Sequence, residues 1–443
     1  MNKILKFSVL FMSITFVLTG CYKLSTPEQL IEKPKSKVEK EIIKESIEKF
    51  LPQGSNLTIP LDCKEAGAIN KVDIDGDNQD EIVAFYEEQE KNFEIGFIIL
   101  KKINNSWKMI DLVKGEGFDI SYASFYDLNK DGKSEIIVSW DYGDYAKIKS
   151  IYTMKQSKIK RIFNGKYRGI EIDDLNNDGK LDIFLFSYDS KRLVITLSVY
   201  NYVIDKLKFI DKINIQANYE IGYSNIKVGK ASENKKGIFI DIPLGSHSAY
   251  TQLIFLENNK LKNAFKDSIS KTYQIYPVGS NDIDSDKVIE IGVLTQPIGY
   301  EEEALVNIPW LNTWYKWDEK EGLRFVVENY YDYDEGYRFD LPQNWKDKFT
   351  LKEYNINNQK RVVFYSLEKS KNIKNEILTI EYFEKNNWKK EEKKLNEQNK
   401  KFIYLGENKK TVFVAFLNNK YLDRNKDFYV DRENIHKNFK LLY

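Results

Sequence analysis

An acidic pattern of nine residues occurs four times along the chain, with oxygen-bearing side chains at positions 1, 3, 5 and 9. The residues at these positions are Asp73, Asp75, Asp77 and Glu81; Asp127, Asn129, Asp131 and Glu135; Asp174, Asn176, Asp178 and Asp182; and Asp282, Asp284, Asp286 and Glu290. Hard cations such as Ca²⁺ bind six to eight oxygens from carboxylates and carbonyls. Without a cation, such close carboxylates would repel one another and raise one another's pKa. The pattern therefore predicts four Ca²⁺-binding loops, named loops 1 to 4 in chain order.

The spacing differs from that of an EF-hand, whose twelve-residue loop ends in a bidentate glutamate. Here position 12 is apolar in every copy, and an apolar, strand-like segment follows the acid at position 9. Gly132 and Gly179 occupy position 6, where a positive φ is expected. Loop 4 has Lys287 at that position, so it ranks below loops 1 to 3 as a cation site. The alternative interpretation is that all four are solvated Asp/Asn/Gly turns between strands.

Each loop lies between short apolar segments of strand length. In the first unit the predicted strands are 68–72, 82–86, 93–100 and 107–113, so that the acidic loop joins the first two. The strand that closes each unit begins at or near Trp107, Ile159, Leu207, Leu261 and Leu323, at intervals of 52, 48, 54 and 62 residues. Repeated groups of four short strands predict a series of antiparallel sheets.

The positions of the loops also predict a unit without an acidic ladder. The loops begin at 73, 127, 174 and 282, and the last gap of 108 residues is two units of 54. The missing loop falls near 228, where Val228–Asn234 precedes an apolar strand but lacks the carboxylates. We predict a mainly β fold, with a β-propeller of about five four-stranded blades over residues 56–335. Residues 57–59 are a candidate strand for closing the ring, and the alternative architecture is an open stack of β modules.

The loop pattern followed by an apolar strand resembles the FG-GAP/VCBS repeats of integrin α-subunit propellers and related bacterial surface proteins. The resemblance covers roughly residues 66–331. It implies a propeller with Ca²⁺ held between the first two strands of each blade. The chain departs from that family in lacking a clear Phe-Gly…Gly-Ala-Pro signature in each unit.

The first 20 residues have the features of a bacterial export signal. Lys3 and Lys6 form a basic region, and the apolar run Phe7–Leu18 is too short to span a bilayer. Leu18-Thr19-Gly20-Cys21 resembles the lipobox of bacterial lipoproteins, which implies that Cys21 is lipidated and becomes the N-terminus. The alternative is an ordinary cleaved signal with a chance cysteine. We therefore expect a protein held by lipid on the outer face of the cytoplasmic membrane, similar to VCBS-repeat lipoproteins of Clostridium-like bacteria.

Two further segments flank the repeats. Residues 21–35 are polar and read as a tether, and residues 36–55 are expected to form a short amphipathic helix and a turn. Residues 336–443 lack the acidic loop and are expected to form a small α+β domain. Its opening, Phe339-x-x-Pro342-x-x-Trp345, looks like that of Mog1/PsbP-like domains.

Composition and motifs limit the function classes. Removal of residues 1–20 changes the formal charge from +1 to −1, and no basic region suited to nucleic acid remains. The chain has two histidines and no Gly-x-Ser-x-Gly, His-Glu-x-x-His, P-loop or dinucleotide motif. We expect a non-enzymatic binding or adhesion scaffold with an unknown protein or glycan ligand. The alternative is a surface hydrolase acting on carbohydrate or peptidoglycan. The aromatic segment Trp310–Trp317 is expected to lie mainly in the sheet core.

Overall fold

This computed structural model describes residues 35–88, 93–143, 147–204, 206–217, 222–245, 247–266, 269–320, 322–356, 359–367, 372–423 and 425–442. The predicted export signal, Cys21 and nearly all of the predicted tether lie outside these residues. In the part that is described, no helix is both long enough and apolar enough to cross a membrane.

The chain divides into two compact units. One contains Met1–Tyr126, Gly132–Gly143 and Tyr152–Lys160, and the other contains Asp127–Asp131, Asp144–Ile151 and Arg161–Tyr443.

The prediction of a mainly β fold is confirmed, because the described strands form six antiparallel sheets. Sheet 1 contains β1 (Asn56–Leu57), β2 (Ile69–Val72), β3 (Glu81–Glu88), β4 (Glu94–Ile103) and β5 (Ser106–Lys114). Sheet 2 contains β6 (Asp119–Tyr126), β7 (Glu135–Asp141), β8 (Lys147–Lys155) and β9 (Lys158–Tyr167). Sheet 3 contains β10 (Gly169–Asp173), β11 (Asp182–Asp189), β12 (Val194–Val203) and β13 (Lys206–Gln216).

Sheets 4 to 6 complete the set. Sheet 4 contains β14 (Asn225–Lys230), β15 (Lys236–Pro243), β16 (Ala249–Glu257), β17 (Lys260–Asn263) and β18 (Tyr273–Gln274). Sheet 5 contains β19 (Ser280–Asn281), β20 (Glu290–Thr295), β21 (Leu311–Trp317), β22 (Leu323–Asp332), β23 (Tyr337–Asp340) and β29 (Phe439–Leu441). Sheet 6 contains β24 (Phe349–Ile356), β25 (Gln359–Leu367), β26 (Ile373–Glu384), β27 (Ile403–Glu407) and β28 (Thr411–Leu417).

The predicted amphipathic helix is present as α1 (Lys35–Phe50). Ile43 and Ile47 on one face are buried and pack against Ile82, Ile98 and neighbouring residues of sheet 1. Three further helices lie between β26 and β29: α2 (Trp388–Glu397), α3 (Asn419–Leu422) and α4 (Arg432–Asn438).

Within each compact unit, neighbouring sheets pack through their apolar faces. In the first unit, the ring of Phe97 in β4 stacks on that of Trp140 in β7, with centroids 6.4 Å apart. In the second unit, one buried cluster joins sheets 3 and 4, and another joins sheets 4 and 5 through Phe255 and Trp317. Each sheet therefore buries an apolar face that it could not bury alone.

The suggestion that residues 57–59 close a ring is wrong. β1 pairs with β3 of its own sheet, through Asn56 with Glu87 and Leu57 with Tyr86. The strand therefore extends the edge of sheet 1, because it follows α1, which packs on that sheet.

The C-terminal region contributes to two sheets. β23, which follows the predicted boundary at 335/336, pairs with β22 and with β29, so it belongs to sheet 5. Sheet 6 with its helices shares one buried cluster with sheet 5, which includes Tyr330, Tyr337, Trp345 and Phe364. Of the predicted motif, Phe339 and Trp345 are fully buried in this cluster.

Candidate metal centre

As the sequence predicts, each acidic loop connects two successive strands of one sheet: β2 and β3, β6 and β7, β10 and β11, and β19 and β20. The acid at position 9 is the first residue of a strand in each loop: Glu81, Glu135, Asp182 and Glu290. All four of these carboxylates are buried, with at most 1% of their surface exposed. The acid at position 9 is therefore fixed by the sheet, whereas the acids at positions 1 to 5 depend on the turn.

The turn has one backbone conformation in all four copies. Positive φ occurs at position 6, as expected, in Asn78 (62°), Gly132 (85°), Gly179 (86°) and Lys287 (72°). It also occurs at position 4, in Gly76 (79°), Lys130 (62°), Asn177 (55°) and Ser285 (67°). Residue types at position 4 differ so widely that the sequence gives no signal for this second left-handed residue. Loop 4, which ranks last from its sequence, thus adopts the conformation of the others.

Hydrogen bonds to backbone N–H groups hold the acidic side chains inside each turn. In loop 3, Asp174 accepts from the N–H groups of Asp178 at 3.0 Å and Gly179 at 2.8 Å. Asp178 accepts from Lys180 N–H at 2.8 Å, and Asp182 accepts from Leu175 N–H at 3.3 Å. Loop 4 repeats these contacts from Asp282, Asp286 and Glu290. The backbone of the turn therefore holds its acidic side chains in place.

In loops 1 and 4, three carboxylates come close enough to bind a single metal ion. The groups are Asp73, Asp75 and Glu81 in loop 1 and Asp282, Asp284 and Glu290 in loop 4, each with ligand oxygens within 4.8 Å of one another. One oxygen of Asp75, Oδ1, is buried and has no hydrogen-bond partner among the described residues. A buried carboxylate oxygen without a partner fits a cation ligand.

In each of these two loops, a lysine from another strand contacts the acids, which the loop pattern alone did not predict. Lys101 Nζ lies 2.5 Å from Asp75, 2.8 Å from Asp77 and 2.8 Å from Glu81. This ammonium group already supplies positive charge to loop 1 without a metal ion.

Lys316 makes the equivalent contacts in loop 4. Its Nζ lies 3.1 Å from Asp284 and 3.1 Å from Glu290, and it also contacts Asp286. Lys101 in β4 and Lys316 in β21 each lie on the strand that pairs with the one beginning at position 9, one residue beyond the pairs Ile82/Leu100 and Ile291/Tyr315. That register is the signal from which they could have been found.

Electrostatics keep both lysines charged. Burial by itself lowers the pKa of Lys101, but hydrogen bonds to Asp75, Asp77 and Glu81 outweigh it and raise the pKa well above its ordinary value. Lys316 behaves in the same way with its three acids. Burial raises the pKa of Glu81, and the hydrogen bonds from Lys101 and Ile74 N–H oppose that rise.

Loop 3 has a neutral residue at the position of these lysines. Asn201 is paired with Asp182 across β11 and β12, and its Nδ2 donates to Asp182 Oδ1 at 2.6 Å. No described lysine or arginine makes an ion pair with the acids of this loop. Burial raises the pKa of Asp182 to about 6, against the hydrogen bonds from Asn201 and Leu175 N–H, and the nearby Asp178 and Asp174 add to the rise.

Loop 2 spans the division between the two compact units, with Asp127–Asp131 in one and Glu135 in the other. Within the first of these, Asp131 N–H donates to Asp127 at 3.1 Å and to Asn129 at 3.0 Å. Within the second, the hydroxyl of Thr153 donates to Glu135 at 2.9 Å.

Position 3 and the partner of position 9 change together in loops 1, 3 and 4. Where position 3 is Asp, in loops 1 and 4, the partner is a lysine. Where position 3 is Asn, in loop 3, the partner is the neutral Asn201. The additional acid at position 3 is therefore accompanied by a compensating lysine.

Sheet 4 lacks the acidic turn because its connection is shorter. Residues 231–235 join β14 to β15, whereas residues 73–80 join β2 to β3. Five residues are too few to form the eight-residue turn. The unit that is predicted to lack the carboxylates thus also has a connection that is three residues shorter.

Comparison with known proteins adds little. No family model and no curated protein matches the sequence. Among solved structures, a protein from Lactobacillus plantarum is 11% identical, with a TM-score of 0.33 over 71% of this chain and 85% of that chain. The exotype rhamnogalacturonan lyase YesX is 11% identical, with a TM-score of 0.28 over 74% and 69%. A rhamnogalacturonan lyase from Bacillus licheniformis is 11% identical, with a TM-score of 0.28 over 69% and 70%. Likeness at this level assigns neither a family nor an activity.

Proposed function

We propose that this protein is a lipid-anchored surface protein whose acidic loops bind Ca²⁺ and stabilise a β-propeller that acts as a non-enzymatic binding or adhesion scaffold. The observation that carries the proposal is the repeated acidic turn with one backbone conformation in four sheets. Divalent cations with oxygen ligands suit such a turn. Anchoring through Cys21 rests on the resemblance of its sequence context to a lipobox.

Contacts between neighbouring sheets support a radial arrangement of blades. Asp111 in β5 accepts a hydrogen bond from Ile159 N–H in β9 at 2.8 Å. Asp211 in β13 accepts one from Leu261 N–H in β17 at 2.9 Å. Each aspartate follows a β-bulge, which turns its carboxylate away from its own ladder. The same contact thus links sheet 1 to sheet 2 and sheet 3 to sheet 4.

Calcium binding is tested by titrating the chain from residue 22 onward with CaCl₂ after treatment with EDTA. Extracellular Ca²⁺ modules have Kd values of about 10⁻⁴–10⁻³ M, so about 10 mM Ca²⁺ would add roughly 1–3 kcal/mol of stability per site. The expected result is a rise in Tm of several degrees, absent with the same concentration of NaCl. Asp178→Asn should reduce the rise, whereas Asp189→Asn, an acid outside the loops, should not. An unchanged Tm across the titration would remove the metal from the proposal.

A second candidate function is hydrolysis of a carbohydrate or peptidoglycan. A cavity of about 660 Å³ carries the carboxylates of Asp332, Asp334 and Glu353. Burial raises the pKa of Asp332, as a general acid requires. Release of reducing ends from cell-wall polysaccharide, lost in Asp332→Asn, would favour this candidate over the scaffold.

A further inference from the structure

Two adjoining cavities form a groove where sheet 5 meets sheet 6. Their volumes are about 660 and 480 Å³, and both are lined by Ile308, Tyr330, Tyr331, Tyr333 and Glu353. Cavities of 300–1,000 Å³ are typical of small-molecule sites. We call the two cavities together the aromatic groove.

Aromatic rings in the groove are fixed and accessible. Tyr331 and Tyr333 stack with ring centroids 5.3 Å apart and planes at 15°, and Tyr333 is 65% exposed. In the second cavity, the ring of Trp310 lies 6.3 Å from that of Tyr276, edge to face. The indole N–H of Trp310 donates to Leu305 O at 3.1 Å, which sets the ring's orientation. Fixed rings with an open face can stack on a flat apolar surface of a ligand.

Acidic groups in the groove already have hydrogen-bond donors. The hydroxyl of Tyr330 donates to Glu353 at 2.6 Å. The hydroxyl of Tyr382 donates to Asp332 at 2.8 Å. These carboxylates keep further lone pairs for a ligand's hydroxyl groups.

Basic groups in the groove are also engaged by the protein itself. Lys360 Nζ lies 2.7 Å from Glu335, and the guanidinium of Arg361 lies over the ring of Tyr354 at 5.3 Å. A strongly charged ligand would have to compete with these contacts, so the groove favours a neutral ligand that forms many hydrogen bonds.

We propose that the aromatic groove binds a neutral oligosaccharide. Pyranose rings have flat C–H faces that stack on tyrosine and tryptophan, and their hydroxyl groups both donate and accept hydrogen bonds. Tyr333, Tyr331 and Trp310 provide the stacking surfaces, while Glu353 and Asp332 provide the polar contacts. This inference rests on the proposed scaffold function and names its ligand class.

The test uses the chain from residue 22 onward with saturating Ca²⁺, so that loop 4, whose Ile283 lines the second cavity, stays in one state. The probes are neutral tetrasaccharides of glucose, mannose, galactose and N-acetylglucosamine, and a proline-rich decapeptide. Binding is measured by calorimetry and by tryptophan fluorescence. We expect at least one tetrasaccharide to bind and to shift the fluorescence, and the decapeptide not to bind.

Variants locate the binding. Tyr333→Ala and Trp310→Ala should each weaken the affinity about tenfold, in line with the loss of one aromatic stacking contact. Tyr429→Ala removes a tyrosine that is 58% exposed outside the groove and should have no effect. Tyr333 is so exposed that its replacement should leave the fold intact, which circular dichroism checks.

Three results would overturn the proposal. They are no binding of any tetrasaccharide, binding that Tyr333→Ala and Trp310→Ala leave unchanged, and binding of the decapeptide instead of the sugars. Calcium-dependent Tm without sugar binding would remove only the sugar site. Sugar binding without a calcium response would remove the metal from the proposed function and leave the groove.

Discussion

Lys101 Nζ lies 2.8 Å from Glu81 Oε1, inside a turn whose other acids suit a divalent cation. The lysine side chain is 23% exposed and the glutamate 1%. An ammonium group in this position neutralises one of the carboxylates of the turn. Stability of the turn then depends less on calcium than its four acids alone would suggest.

Removal of a loop lysine should make the protein more dependent on calcium. In Lys101→Met or Lys316→Met, the carboxylates lose their internal cation, and we expect a loss of about 1–3 kcal/mol in EDTA. Millimolar Ca²⁺ should recover most of that loss, because it replaces the missing charge. Chemical denaturation with and without Ca²⁺ measures both values. Lys114→Met, which breaks an ion pair with Glu94 outside the loops, is the control. Equal losses in both conditions would show that the lysine does not act through the cation site.

The pairing of position 3 with the lysine can be transferred to loop 3. Asn176→Asp adds an acid and Asn201→Lys adds the ammonium group, which together reproduce loops 1 and 4. We expect Asn176→Asp alone to lower stability in EDTA, and Asn201→Lys to raise stability more in the Asn176→Asp variant than in the unmodified loop, because the ammonium group then compensates the added acid. The coupling energy should be about 0.5–3 kcal/mol, as measured by a double-mutant cycle. Strictly additive effects of the two substitutions would contradict charge compensation.

Asp211 and Asp241 should affect the pH dependence of stability in opposite directions. Burial raises the pKa of Asp211, but hydrogen bonds from Leu261 N–H and Lys260 outweigh it and lower the pKa below 3.8. The stability that the ionised Asp211 contributes is present above pH 3.8 and is lost as pH falls through the pKa of the folded state. Burial raises the pKa of Asp241 despite hydrogen bonds from Thr251 and Asn225. The stability that the protonated Asp241 contributes is present below pH 3.8 and is lost as pH rises through the pKa of the folded state.

Urea denaturation between pH 3 and 7 measures this difference in Asp211→Asn and Asp241→Asn. Relative to the unmodified chain, Asp211→Asn should become less stable as pH rises. Asp241→Asn should become more stable than the unmodified chain as pH rises. Parallel curves for the two variants would contradict the assigned pKa directions.

Backbone strain at position 6 of loop 4 should be removable. Lys287 has a φ of 72°, a conformation that costs a side-chain-bearing residue about 1–2 kcal/mol. Lys287→Gly should therefore raise stability by about 0.5–1 kcal/mol, since glycine adopts this φ freely but loses more chain entropy. Gly179→Ala should lower stability, and Gly67→Ala, which has open space around it, should be neutral. A destabilised Lys287→Gly variant would show that this lysine side chain contributes more than its backbone costs.

Features that depend on a few neighbouring residues were predictable from the sequence. The acidic loops, the strands on either side of them and the first residues of β5, β9, β13, β17 and β22 follow from local patterns, and all lie within about two residues of their predicted positions. The positive φ at position 6 could be predicted because Gly132 and Gly179 favour it. Local residue preferences act within a few residues, which a single sequence displays directly.

Contacts between distant strands were not predictable in the same way. Lys316 lies 26 residues after Glu290, and a solvated lysine on a strand looks like any other in the sequence. The placement of β1 was wrong because a strand of two residues carries too little pattern to identify its partner. The sharing of sheet 5 between the repeats and residues 439–441 was also missed, because strand pairing over about 100 residues leaves no local signal.

β29 seals the edge of β23 by pairing Phe439 with Phe339 and Leu441 with Tyr337. At synthesis rates of about 5–20 residues per second, β23 waits roughly 5–20 s on the ribosome before its partner strand is made. During that interval its free N–H and C=O groups can pair with another nascent chain. Proteolytic trimming before Phe439 would make this temporary hazard permanent, and ragged carboxyl ends should consequently enrich in the aggregated fraction of a preparation.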